Sequence, residues 1–314
     1  MLKGFPVGRA FPSITHPEER DKTMNKAYAK IILAAVLWGG IGMFLKLLYA
    51  AGLTTMQGVA LRSLVGVIFY GLFLFFTDRP ALRADIRDCV WFFGTGVCSL
   101  LFFNWCYFNT ITLSSMSVAA VLLYTSPVFV TLMSALLFRE TITPVKITAL
   151  IVTFAGCVLV TGLFPLGQET ISLPVILFGL GSGFGYALYS IFGKFILKKY
   201  APSTVTFYTI LFCTVFSLPL SGIHTNLTAL GDWRAWAGAL GVGVVCCALP
   251  YHLYTAGLRD AEPGKAAILA TIEPFVAAAL GILVFREEVT PFKLLGMAAI
   301  LGAVLLLNLP AKET

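Results

Sequence analysis

The sequence predicts an all-α integral membrane protein, with ten transmembrane helices arranged as two inverted five-helix repeats. Three observations predict it. The 314 residues are 58% hydrophobic and only 12% charged, with a mean hydropathy of +0.89, about half the charge of an ordinary soluble domain. Ten apolar runs each approach the roughly 20 residues that a bilayer core requires. A polar phrase, FRETITPVK at 138–146, is written again as FREEVTPFK at 285–293.

The elements follow in chain order. Residues 1–26 contain PSITHPEERDKTMNK, which has no apolar core of the signal-peptide kind and reads as a disordered cytosolic tail. Met24 opens MNKAYAKIILAAVLWGG, so either Met1 or Met24 would serve as the start. The first unit covers 27–162, with spans at 29–48, 56–76, 89–109, 117–138 and 144–162. The second covers 173–309, with spans at 173–197, 203–222, 236–257, 265–285 and 291–309. A tail of 310–314 closes the chain. Connections as short as TLSSMS imply antiparallel neighbours, and no stretch is long and polar enough for a soluble domain.

Residues 94–146 align without gaps to 241–293, with 15 identities in 53 positions. Five spans per copy is an odd number, so the second copy enters the bilayer upside down, a build shared by many secondary transporters. Lysine and arginine set the orientation. With the N-terminus inside, the basic residues outside are Arg234, Arg286 and Lys293, and those within spans are Lys46, Arg62 and Lys194. The other 16 of 22 lie inside. Both termini are then cytoplasmic, in a multi-pass protein of the plasma membrane. The net charge of +7 belongs to this topology and not to a nucleic-acid partner.

The repeated phrase has a mechanical reading. Thr143 and Thr290 suit N-caps, with Pro144 and Pro291 at the first helical position. Lys146 and Lys293 fall in the first turn, where the helix dipole disfavours them. Glu140 and Glu287 lie across the turn and can neutralise them, while Arg139 and Arg286 suit the end of the preceding helix. A turn lock is expected here in preference to substrate contact.

Trp38-Gly39 and Lys46 in span one, Arg62 in span two, Pro127 then Glu140, and Glu273-Pro274 then Glu287 together resemble the EamA-type, ten-helix branch of the drug/metabolite transporter superfamily. The resemblance covers about 29–309. It implies a carrier of small metabolites, often an exporter of amino acids or related compounds. Where a second Trp-Gly is expected, this chain has Tyr186-Ala187.

Intramembrane polar residues are the candidates for the transport site. Arg62 is expected either to pair within the bundle or to bind an anionic group. Glu273, near the middle of span nine, can hold a substrate amine or exchange a proton, or it can lock helices around Pro274. Pro127 and Pro274 are expected as hinges, each freeing a carbonyl one turn back. Asn104 and Tyr107 share a face with the equivalent Tyr251 and Tyr254 of span eight; Trp38, Tyr124 and Tyr186 add aromatic walls. Lys46 and Lys194 are expected to snorkel, and His252 reads as interfacial.

Other functions fit less well. The seven cysteines form no CxxC pair and suit no metal spacing. GLGSGFGYA at 179–187 resembles a phosphate loop, but it lies within a span with no preceding strand. Nothing calls for a cofactor, and the implied partners are a small molecule and the lipid bilayer. The alternatives are an intramembrane enzyme acting on a lipid-like substrate, which would want clustered His, Asp or Cys near one interface, and a channel.

Overall fold

The computed structural model describes residues 17–162 and 171–308. Every regular element among the described residues is helical. In the first half these are α1 (Pro17–Gly39), α2 (Ile41–Ala50), α3 (Thr55–Thr77), α4 (Cys89–Phe93), α5 (Phe102–Leu113), α6 (Met116–Leu123), α7 (Ser126–Phe138) and α8 (Pro144–Val160). In the second they are α9 (Leu173–Ile196), α10 (Pro202–Leu220), α11 (Trp233–Leu240), α12 (Leu249–Asp260), α13 (Pro263–Ala270), α14 (Ile272–Phe285) and α15 (Pro291–Asn308).

Among the described residues, eight helical stretches are long and apolar enough to cross a membrane: Lys22–Ala50, Thr55–Thr77, Ile86–Leu113, Met116–Phe138, Leu173–Ile196, Pro202–Leu220, Trp233–Asp260 and Pro263–Phe285. Two further apolar helices, Pro144–Val160 and Pro291–Leu307, are shorter. At 1.5 Å per residue they reach roughly 26 Å, just under a hydrocarbon core of about 30 Å. Large apolar side chains such as Phe76, Leu136, Leu283 and Leu305 are exposed around the outside, as a lipid-facing surface requires.

The tail reading needs correction at its inner end. The first helix begins at Pro17, so residues 17–26 are helical. The rest of that tail and residues 310–314 lie outside the described residues.

Three of the expected continuous spans are broken. Span one breaks at Gly40, span four at Tyr124–Thr125 and span nine at Thr271. The prolines therefore occupy the first turn of the helix after the second and third breaks, Pro127 in α7 and Pro274 in α14, and do not kink a continuous helix. That position tolerates proline because the missing N–H would be unsatisfied there anyway.

Two stretches wind more widely, as π-helix: Gly94–Leu101 between α4 and α5, and Gly241–Ala248 between α11 and α12. They occupy matching places in the aligned sequence copies. Each packs on a helix of the other half through a glycine. A Cβ on Gly96 would sit 2.6 Å from the Thr209 carbonyl oxygen in α10, and one on Gly243 would sit 2.9 Å from that of Arg62 in α3. Helices α1 with α12, α5 with α9, and α8 with α15 also pack across the halves. The halves interlock along most of their length.

The two polar phrases form closely similar turns. Arg139 and Arg286 close α7 and α14 in the left-handed conformation, with φ of 58° and 54°. The Thr143 and Thr290 hydroxyls each accept the lysine N–H three residues on, at 3.2 Å. The surroundings differ. Lys293 pairs with Glu287 at 3.1 Å on an accessible surface. Lys146 is only 2% exposed and lies 3.6 Å from Glu140 and 2.8 Å from Glu262, just before α13. Glu140 also accepts the Gly264 N–H at 3.3 Å. Burial lifts the Glu140 carboxyl above its ordinary pKa, against the pull of Lys146.

Candidate functional site

Two small gaps inside the bundle gather most of the expected aromatic residues. The first is lined by Trp38, Tyr186, Tyr251 and Tyr254, joined by Ser99, Phe103, Tyr189 and Ser190. The Trp38 ring lies 5.3 Å from Tyr251, 5.5 Å from Tyr254 and 6.3 Å from Tyr186, centroid to centroid. The side chains close on one another so tightly that the free space is about that of one water molecule. The second gap is lined by Tyr124, Ser126, Tyr186, Thr271 and Glu273, with Leu123, Ala267 and Ala270. Tyr186 borders both, so the two are neighbours across one ring.

The local sequence explains this placement. Every break in a span adjoins the site: Trp38 ends α1 just before Gly40, Tyr124 stands in the second break, and Glu273 follows the third. A Cβ on Gly39 would lie 2.8 Å from the Glu273 carbonyl oxygen, so only glycine lets Trp38 approach that break so closely. Thr125 and Thr271 donate their hydroxyls to carbonyls three residues back, Leu122 and Ile268, which also accept the backbone N–H of the same threonines. Irregular backbone at such depth is tolerated where it lines a cavity or is covered by protein.

The polar groups of the first gap are only partly satisfied. Ser190 Oγ and the Tyr254 hydroxyl are 2.8 Å apart, and the Tyr189 hydroxyl meets Thr255 Oγ1. The buried Ser99 hydroxyl has no hydrogen-bond partner. Tyr189 and Ser190 stand three and four residues after Tyr186 on α9, which is the helical spacing of one face. That spacing was the signal by which sequence reasoning could have found them.

Glu273 forms no ion pair among the described residues. The side chains of Tyr107, Tyr124, Cys157, Tyr186 and Cys246 lie close enough to feel its charge. Asn104 lines neither gap; it is buried and donates to the Leu100 carbonyl of its own helix at 2.6 Å. The matched faces of spans three and eight are thus used unequally. Tyr251 and Tyr254 wall the first gap, and Tyr107 lines neither.

Arg62 is 7% exposed. Its Nε and one Nη are buried without a hydrogen-bond partner, and no carboxylate forms an ion pair with it among the described residues. Tyr251, Cys213, Cys246 and Cys247 are its electrostatic neighbours.

The other intramembrane cations and His252 have structural partners. Lys46 sits over the Phe285 ring, 3.2 Å from its centroid. Lys194 does more than snorkel, donating to the carbonyls of Leu258, Arg259 and Ala261 at 2.7–3.1 Å and so capping the end of α12. His252 Nδ1 lies 2.7 Å from the Tyr70 hydroxyl, inside the bundle and not merely at an interface.

Comparison with known proteins follows the same lines. The model of the EamA-like transporter family matches twice, at residues 25–162 and 173–309. An uncharacterized transporter of Archaeoglobus fulgidus is 31% identical over 91% of this chain and 97% of its own length. The threonine/homoserine exporter RhtA of Escherichia coli K12 is 26% identical over 87% of this chain and 88% of its own. One solved crystal structure superposes with a TM-score of 0.77 at 18% identity, covering 91% of this chain and 97% of that one, a likeness of fold.

Proposed function

The chain belongs to the EamA-like transporter family and is a multi-pass membrane transporter; from that premise we propose that it is a secondary carrier, an exporter of a small metabolite such as an amino acid or related compound, working by alternating access in the plasma membrane. Ten helices cross the bilayer as two inverted five-helix repeats, 27–162 and 173–309, with residues 1–26 and 310–314 as cytoplasmic tails. The double family match supports the two units, and a relative named as a threonine/homoserine exporter supports the substrate class.

Contacts between loops support the inverted topology. Loops that the charge rule places inside touch one another: Lys199 and Tyr200 bind Asp88, and Lys146 binds Glu262. Loops placed outside do the same, where Asn226 donates to the Gly52 carbonyl at 2.9 Å. Among the described residues no such pair joins opposite sides.

The observation that carries the mechanism is the pair of gaps at three helix breaks, joined through Tyr186 and walled by both halves. Broken helices around a midplane cavity are the usual substrate site of secondary transporters. As described, the first gap holds no more than a water, so substrate entry requires its aromatic walls to part. Movement of α7 and α14 about the breaks preceding Pro127 and Pro274 opens the site to one side at a time. Trp38, Tyr124, Tyr186, Tyr251 and Tyr254 form the apolar walls, Glu273 supplies a carboxyl for an amine or a proton, and Arg62, Asn104 and Tyr107 flank them.

Glu273→Gln in proteoliposomes is expected to abolish most counterflow of radiolabelled L-threonine or of a metabolite found by screening, while the variant still assembles. Full wild-type counterflow by that variant at every pH would remove Glu273 from the mechanism. Unitary currents in place of saturable counterflow would identify a channel.

A further inference from the structure

We propose that Arg62 is an unfilled anion seat, and that the transported molecule carries a carboxylate or similar oxyanion group which docks there. This deepens the proposed carrier function and rests on it.

The argument begins with what an arginine inside a membrane protein ordinarily does. Its guanidinium stays charged at any accessible pH and presents five N–H donors in a planar fork. When buried, it pairs with a carboxylate or donates to backbone carbonyls, because an uncompensated buried charge is costly. The other intramembrane cations here have partners: Lys194 binds three carbonyls, and the exposed Lys46 lies against an aromatic face. Arg62 does not. It is 93% buried, Nε and one Nη have no partner, and no carboxylate pairs with it among the described residues.

Its surroundings offer no internal substitute. The thiols of Cys213, Cys246 and Cys247 are its electrostatic neighbours, and thiols are weak acceptors. The two unpartnered nitrogens are themselves buried, so bulk water does not satisfy them. Arg62 stands where α3 comes closest to the widely wound stretch 241–248: the Gly243 Cβ position is 2.9 Å from the Arg62 carbonyl oxygen, and the Gly66 Cβ position is 3.0 Å from that of Gly243. The same stretch leads into α12 and Tyr251, which is both an electrostatic neighbour of Arg62 and a wall of the aromatic gap. The seat therefore adjoins the site. Cys246 interacts electrostatically with both Arg62 and Glu273. A ligand with an acidic group at Arg62 and an apolar body among Trp38, Tyr251 and Tyr254 enters once the aromatic walls part, since the first gap as it stands holds no more than a water. A carboxylate matches the fork of an arginine in bidentate fashion.

The test uses purified full-length protein in detergent and paired probes that differ only in the acidic group: L-threonine against L-threoninol, L-phenylalanine against L-phenylalaninol, and succinate against 1,4-butanediol. In wild type, at least one acid is expected to raise the melting temperature while its alcohol does not, since a ligand stabilises the state it binds. In Arg62→Met that acid is expected to bind about thirtyfold more weakly or worse. Without ligand, Arg62→Met is expected to melt at or above the wild-type temperature, because it removes an uncompensated buried charge. A lower ligand-free melting temperature would make Arg62 structural and overturn the proposal. So would equal stabilisation by acid and alcohol in every pair, or no response to any acid; these read wild type alone and do not depend on the variant folding. Acid-selective stabilisation without counterflow of that acid in proteoliposomes would keep the seat and refute the carrier reading. Counterflow of a neutral or cationic solute retained in Arg62→Met would keep the carrier and refute the seat.

Discussion

Lys146 and Lys293 are the same residue in the same repeated phrase, and replacing each with methionine should give very different results. Lys146 is 2% exposed and holds Glu140, itself 10% exposed, together with Glu262, while also donating to the Thr141 carbonyl at 3.0 Å. Lys146→Met strands two carboxylates beside each other at the junction of α7, α8 and α13. Breaking a buried pair by removing one partner costs about 3–5 kcal/mol. Glu262 is 42% exposed and keeps some hydration, which places the expected loss near the low end, at about 3 kcal/mol, or roughly 6–12 °C in melting temperature. Lys293 pairs with a Glu287 that is 51% exposed, and its replacement should cost below about 1 kcal/mol.

A pH series sharpens the contrast. Burial already raises the Glu140 carboxyl above its ordinary pKa, so Glu140 favours folding below that ordinary value and loses this contribution as pH rises through its folded pKa. Removing Lys146 widens the window upward. The Lys146→Met deficit should therefore be largest at neutral to alkaline pH and shrink on acidification toward the usual glutamate range. The assay is thermal unfolding of the purified variants between about pH 4 and 8, a range that spans the ordinary glutamate pKa and neutrality. Equal losses for the two lysine variants, or a Lys146→Met deficit that grows on acidification, would refute the reasoning.

Three further outcomes follow from the packing. Lys194→Met removes three charge-assisted hydrogen bonds at the end of α12 and should cost about 1.5–3 kcal/mol, with faster hydrogen exchange confined to residues 258–261. Gly96→Ala forces a Cβ to 2.6 Å from the Thr209 backbone oxygen; it should destabilise by about 1–3 kcal/mol, whereas Gly302→Ala, with open space around it, should leave the melting temperature nearly unchanged. Ser99→Ala removes a buried hydroxyl that no protein group satisfies, so it should be neutral or slightly stabilising without ligand; a marked loss of stability would mean that a partner exists.

The sequence by itself determined the solvent of this protein, its helices and the correspondence of its halves. Those are local or periodic properties: a run of apolar residues dictates a helix in lipid wherever it packs, and FRE-TP-K carries its own turn chemistry in the cap threonine and the proline. It also supplied Trp38, Tyr186, Tyr251, Tyr254 and Glu273 as candidates, because polar or large aromatic residues at depth are conspicuous. Only the tertiary structure decided how they are used. The breaks at Gly40, Thr125 and Thr271 were invisible, since each lies within an apolar run that composition reads as continuous. Asn104 and Tyr251 stand at matching places in the alignment, yet one binds its own helix and the other walls the gap. The two copies of one phrase likewise became a buried cluster and a surface pair, because Glu262 faces the first and Ser115, its counterpart by alignment, carries no charge. Whether a charge such as that of Arg62 finds a partner depends on neighbours contributed by the other half of the chain, and pairing between distant segments leaves no local trace in a sequence.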